Sequence, residues 1–225
     1  MILGNDRCSV EGRASVEPRK ETDPSPEVTV TMAPMRLHAG SLRETAEKIE
    51  DATGLRIEII GGVLMMSPTP RGKHGGVVYQ LENMIRPNLP ENLVALQMAS
   101  LDRPDAPDDY VTPDLLVGPA DFLESDDWLI DPDEVELAVE VISKSEVSRA
   151  INGKVDWYAV AGVRLLLVVD PRNGTWALHF HPRDGAYQGV LRGKYGEPVP
   201  LPSPLELSLD TSRFPIYGEK KTSRP

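Results

Sequence analysis

Three residues in this chain have types and spacing that suit joint chemistry: Asp114, Glu140 and Lys154. Glu140 lies in Leu137-Ala138-Val139-Glu140-Val141-Ile142, a run apolar enough to be a central strand. Strand alternation puts Leu137, Val139 and Val141 on one face and Glu136, Ala138, Glu140 and Ile142 on the other. A carboxylate inside a sheet is costly unless it meets a cation, a metal or water. Read alone, the strand is equally compatible with a solvated face that carries Glu136 and Glu140 together. Asp114, in Val111-Thr112-Pro113-Asp114-Leu115-Leu116-Val117, opens another apolar strand. An Asp after Pro is also an ordinary strand-entry or capping residue. Two carboxylates on successive strands of one sheet can nevertheless converge on a hard cation. Mg2+ takes one or two carboxylates together with waters and substrate phosphate. Such an ion activates water and offsets charge on a phosphodiester in the transition state.

The third group comes from a helix predicted over 147–161. At about 100° per residue, Val147, Ala150, Ile151, Val155, Tyr158 and Ala161 share one arc, and Lys154 falls in its middle. Ser148, Arg149, Asn152 and Asp156 lie elsewhere, as a solvated face requires. A lysine centred on the buried stripe either reaches over the sheet toward a carboxylate or phosphate, or snorkels past the helix edge.

Fainter candidates surround these three. His74 falls near the N-terminus of a second helix, where the helix dipole disfavours an imidazolium. A neutral histidine there could accept a proton or touch substrate, and a structural histidine is the other reading. Arg71 and Lys73 in the preceding loop form the local basic patch open to phosphate, or a solvated loop. Glu58 is a candidate auxiliary acid, but strand alternation groups it with Arg56 and Ile60 on one face, so it is read as half of a surface pair. His179 and His181 share a strand face without a third metal-ligand motif. No phosphate-binding loop, dinucleotide fingerprint, nucleophile elbow or zinc finger is present.

The elements that must position these groups follow from local pattern. Residues 1–35 lack periodicity and read as a disordered tail, with Met32 and Met35 placed where an alternative start would fall. Ser41 and Glu44 form a capping box, followed at helical spacing by Leu42, Ala46, Ile49 and Ala52, with Gly54 as the stop. Runs 55–60 and 63–67 flank Gly61-Gly62, a hairpin signal. A helix from about 75 to 88 follows, then strands at 93–100 and 111–118. Residues 121–136 carry eight acidic side chains and read as a solvated loop. Strand 137–143, helix 147–161 and strand 164–170 form a parallel crossover. Strands 175–181 and 187–192 close on Arg183-Asp184-Gly185. The predicted fold is α+β: a mixed sheet flanked by helices, with an N-terminal helix and hairpin. One domain should span 36–215, with a frayed tail at 216–225.

Composition sets limits. The chain has 225 residues, 40% hydrophobic but only 5% aromatic, so its core must come from Val, Ile, Leu and Ala. The aromatic shortage also argues against a paired-carboxylate glycosidase, whose substrates stack on such rings. No run approaches the roughly 20 apolar residues that span a bilayer. The single Cys8 can make neither an internal disulfide nor a cysteine-based metal site. These features predict a soluble, cytoplasmic protein without membrane partners. The net charge of −11 is unusual for a protein that binds nucleic acid by neutralising phosphates. Any such binding must use a local basic patch.

Taken together, Pro113-Asp114, then Glu140-Val141-Ile142-Ser143, then Lys154 with Tyr158 and Gly162, then Val168-Val169-Asp170-Pro171 resemble the Uma-type restriction endonuclease family of the PD-(D/E)XK nuclease superfamily. Glu58-Ile59-Ile60-Gly61-Gly62 and Ser67-Pro68 with His74 look like that family's N-terminal signature. The resemblance covers about residues 55–190. It implies a restriction-endonuclease-like fold and a Mg2+-dependent nuclease acting on DNA rather than RNA, with Mn2+ as a substitute ion. It leaves a homodimer open. Asp114 and Glu140 would hold the metal with the backbone carbonyl of Val141. Lys154 would orient or help deprotonate the attacking water, or stabilise the phosphate. The superfamily pattern wants Lys two residues after the acid, where this chain has Ile142. Here the lysine has moved to the following helix, as the helical projection independently indicates. Ser143-Lys144-Ser145 and Ala150 depart from the family pattern. With the acidic charge, they support a rival reading: a weak or inactive nuclease-fold domain that binds or regulates.

Overall fold

The β1–β2 hairpin shows how local sequence sets the frame. Strands β1 (Arg56–Ile60) and β2 (Val63–Ser67) pair antiparallel with Ile60 opposite Val63. The two-residue loop between them needs positive φ at both positions, which Gly61 and Gly62 supply at 60° and 72°. Asp109 accepts hydrogen bonds from both glycine N–H groups, at 2.6 and 2.9 Å, and fastens the turn to the rest of the protein. Helix α1 (Ser41–Thr53) ends at Gly54 as its sequence requires. Its Ala46 is buried in a small cluster with Ile57, Ile59 and Tyr110.

The structure is a computed structural model and describes residues 41–67, 69–103, 105–144, 146 and 148–218, without the side chains of 41, 148 and 149. The expected tail at 1–35, the Ser41 side-chain cap, Pro68 and residues 219–225 lie outside the described residues. The remaining elements are α2 (Gly72–Ile85), β3 (Leu93–Leu96), β4 (Ser100–Asp102), β5 (Tyr110–Val111), β6 (Leu115–Pro119) and β7 (Leu129–Ile130). They continue with β8 (Leu137–Val141), α3 (Ser148–Ala161), β9 (Leu165–Asp170), β10 (Thr175–Arg183), β11 (Ala186–Lys194), β12 (Val199–Leu201) and β13 (Leu207–Leu209).

The α+β class stands, and the strands divide between two mixed sheets. One has the order β2-β1-β5-β4-β7, and the other the order β11-β10-β9-β8-β6-β3. Strands β12 and β13 make a separate antiparallel pair in the Pro-rich stretch that follows β11. In the second sheet β8 and β9 are parallel, with α3 as the crossover.

Two expected strands are each broken in two, and both breaks have a local cause. The 93–100 run stops at β3 and resumes at β4, because Met98 takes a left-handed φ of 67° that no ladder accommodates. The 111–118 run divides at Thr112-Pro113-Asp114, where proline has no N–H to give a ladder. There the chain leaves the first sheet, through β5, and enters the second, through β6. The acidic stretch also holds more structure than a solvated loop. It carries β7, parallel to β4, and buries Ile130 and Val135. Helix α2 starts three residues earlier than predicted. Tyr217, placed in the expected frayed tail, donates its N–H to the Pro171 carbonyl at 2.8 Å.

The second sheet has two differently packed faces. Val77, Val78, Leu81 and Ile85 of α2 join Leu137, Val139, Val141, Leu165, Leu167 and Val169 in one apolar cluster. On the opposite face, Ala138, Ile142, Leu166 and Val168 pack with Trp157, Tyr158 and Val163, and with Leu101 and Val111 of the first sheet. The candidate site lies on this second face.

Candidate active site

Alternation along β8 places Glu140 on the α3 side, between the buried Ala138 and Ile142. The arc on α3 then brings Lys154 over it. The Lys154 Nζ donates to both carboxylate oxygens, at 3.0 and 3.1 Å. Tyr158, one turn further along the same helix, donates its hydroxyl to Glu140 at 2.7 Å. The snorkelling alternative does not hold, because the Lys154 side chain is only 12% exposed.

Asp114 stands where the chain crosses between sheets. Its backbone N–H donates to the Val139 carbonyl at 3.0 Å, which ties it to β8. Its carboxylate accepts the Val141 N–H at 2.8 Å and meets the His74 Nε2 at 2.9 Å. The Arg56 guanidinium approaches at 3.5 Å. His74 is buried in the first turn of α2, so the histidine serves Asp114. Lys73 donates to the Ile216 carbonyl at 2.5 Å, and Arg71 is exposed one residue before α2. The structure thus gathers Asp114, Glu140, Lys154 and His74, while Arg71 and Lys73 lie at the N-terminus of α2.

Glu58 is the residue that sequence reasoning placed wrongly. It is 1% exposed, not half of a surface pair. One of its oxygens accepts from Lys154 Nζ at 2.9 Å and from the Thr112 N–H at 3.0 Å. Arg56, its supposed partner, extends to Asp114 instead. A signal was present in the sequence. Glu58 stands between Ile57 and Ile59, and Ile60 shares its face, so β1 has apolar residues on both sides. A strand buried on both faces cannot carry a carboxylate without a cation.

The charges shift one another. Burial pushes the Glu140 carboxyl up to about 7, with the Glu58 and Asp114 carboxylates adding to it and Lys154 and Tyr158 opposing it. Burial also works against the Asp114 anion, but the bond and charge of His74, the Val141 N–H and Arg56 outweigh it and hold this carboxyl below its ordinary value. For Lys154, burial disfavours the ammonium, while Glu140 and Glu58 more than compensate, and the group is held firmly protonated. Burial and the neighbouring carboxylates keep Tyr158 as the neutral phenol. The result is a water-poor site with an assured anion at Asp114, an assured cation at Lys154, and a carboxyl at Glu140 that lacks enough positive charge.

Comparison with known proteins bears on the family and the fold. A family model described as Uma2, Putative restriction endonuclease, matches residues 43–212. A solved structure described as a putative nuclease belonging to DUF820, from Anabaena variabilis, is similar in fold, with a TM-score of 0.58 at 20% sequence identity. The match covers 71% of this chain and 89% of that one. No curated protein matches the chain.

Proposed function

The chain belongs to the Uma2 family described as restriction endonucleases, and from that premise we propose that it is a Mg2+-dependent endonuclease hydrolysing phosphodiester bonds in DNA. The observation that carries the reading is one cluster: Asp114 tied to β8 through Val139 and Val141, and Glu140 on the same strand under Lys154.

The donor set fits a hard divalent ion. Asp114 and Glu140 offer carboxylate oxygens, and the Val141 backbone carbonyl is the proposed third ligand. Among the described residues no three His, Cys, Asp or Glu side chains stand close enough to form a ready cage. Mg2+ does not need one, since it keeps several waters. The raised Glu140 carboxyl marks a deficit of positive charge that such an ion would correct. When bound, the ion supplies Lewis-acid polarisation and a more acidic water.

The chain's own residues do the rest. His74, Arg56 and the Val141 N–H hold Asp114 ionised and oriented. Tyr158 fixes the Glu140 carboxylate. Lys154, kept as an ammonium, suits stabilising charge on the phosphate better than taking a proton from water. Arg71 and Lys73 flank the N-terminus of α2, where free N–H groups favour anions, and are the proposed phosphate contacts. Among the described residues no helix is long and apolar enough to cross a membrane.

The test is incubation of purified protein with plasmid, single-stranded DNA and RNA, in Mg2+, Mn2+ and EDTA. Cleavage of DNA with either ion and none with EDTA is expected. The net charge of −11 weighs against strong DNA binding and favours the rival, a weak or inactive nuclease-fold domain that binds or regulates. Absence of cleavage of every substrate under either ion would select that rival.

A further inference from the structure

We propose that Glu58 is a positioning residue that retains the Lys154 ammonium when a divalent ion takes Glu140, so that the lysine stays at the site without competing for it. The proposal rests on the reading of Glu140 as a metal ligand and assigns a role to a carboxylate that reading does not use.

The argument begins with the donors of the ammonium. Lys154 has three N–H groups, matched by three short contacts: two to the Glu140 oxygens at 3.0 and 3.1 Å, and one to Glu58 Oε1 at 2.9 Å. The first two oxygens are those a metal would need. Lys154 therefore stands where a cation would stand, and its charge opposes any second cation at that carboxylate. Were Glu140 its sole partner, metal arrival would leave a buried ammonium unpaired, which is strongly unfavourable. Glu58 prevents this. It sits on β1, between β2 and β5 in the first sheet, and faces across to α3. The Thr112 N–H at 3.0 Å fixes its carboxylate from the segment that leads into Asp114. Its side chain is 1% exposed, so water cannot replace Lys154 as its counter-charge. Two carboxylates carried by different sheets share one ammonium, so one can be released while the other holds.

The test is calorimetric titration of the full chain with Mg2+ alone, comparing wild type, Lys154→Met, Glu58→Gln and the double variant. Removing the competing cation should tighten Mg2+ binding by Lys154→Met about tenfold or more, given a unit charge so close to the ligand oxygens. Glu58→Gln should weaken binding, because Lys154 then settles wholly on Glu140. The same change in the Lys154→Met background should weaken it much less, since no lysine is left to settle. Glutamine can still accept the Thr112 N–H, so the fold should persist. Glu58→Asp, which keeps the charge but draws it back, should fall between wild type and Glu58→Gln. Equal weakening by Glu58→Gln in both backgrounds would overturn the proposal, as would looser Mg2+ binding by Lys154→Met. A wild type that binds neither Mg2+ nor Mn2+ would overturn the metal reading itself, and this proposal with it.

Discussion

The two faces of β8 use five consecutive residues in opposite ways. Leu137, Val139 and Val141 point into an apolar cluster with α2, where no side chain needs a partner of its own. On the other side, Ala138 is apolar but Glu140 must be answered by Lys154 and Tyr158. Hydrophobic burial is non-directional, so the first face tolerates small shifts. A buried charge network fails if one member moves, because the others are left unsatisfied. The α2 face therefore holds the fold, and the α3 face holds the chemistry in a form that costs stability.

That contrast can be broken from either side. The largest expected effect is on the α2 face. Leu137→Ala empties a fully buried position and should cost about 2–5 kcal/mol in denaturant unfolding. Cleavage per folded molecule should stay near wild type. On the α3 face activity should be lost together with stability. Lys154→Met leaves the buried Glu58 and Glu140 carboxylates without their ammonium and should itself cost a few kcal/mol, while DNA cleavage per folded molecule falls by about two orders of magnitude or more. A smaller effect is set by pH. The Glu140 carboxyl is raised to about 7 in the fold, against an ordinary value of 4.5. The protonated form thus stabilises the fold fully below about 4.5, and that contribution is lost as pH rises through 7. In EDTA, Glu140→Gln should therefore gain on wild type between pH 5 and 8, by on the order of 2 kcal/mol. Constant separation of the two melting curves across that range would place Glu140 in an ordinary solvated setting. The smallest effect should come from Asp156, exposed on α3. Asp156→Asn should change both stability and cleavage by no more than about 0.5 kcal/mol.

The same contrast governs what the sequence discloses. Glu140 and Lys154 are legible because their placement depends on short-range periods, two along the strand and 3.6 along the helix. For Glu58 only the burial was legible, from the isoleucines around it; its role was not, because its partners come from 54 and 96 residues away and the local pattern pairs it with Arg56. His74 was visible as a residue near a helix start, but its role depends on Asp114, 40 residues later. The transfer between sheets at Thr112-Pro113-Asp114 was hidden by an apolar run that reads as one strand. Pro113 marked the break, and the run outweighed it. Strands β12 and β13 were hidden by the prolines around them, because a short edge pair tolerates what a central strand does not.

The central claim is that Asp114 and Glu140 hold one divalent ion between them. Calorimetric titration of Mg2+ into wild type, Asp114→Asn and Glu140→Gln tests it without reference to catalysis. Neutralising Glu140 relieves like-charge repulsion, whereas Asp114→Asn gives up the charge held by His74 and Arg56 and should cost some stability. Each variant is therefore titrated at a temperature where its thermal melt shows it folded. The account predicts saturable binding of one ion to wild type and loss of that binding in both variants. Unchanged Mg2+ affinity in both would contradict it.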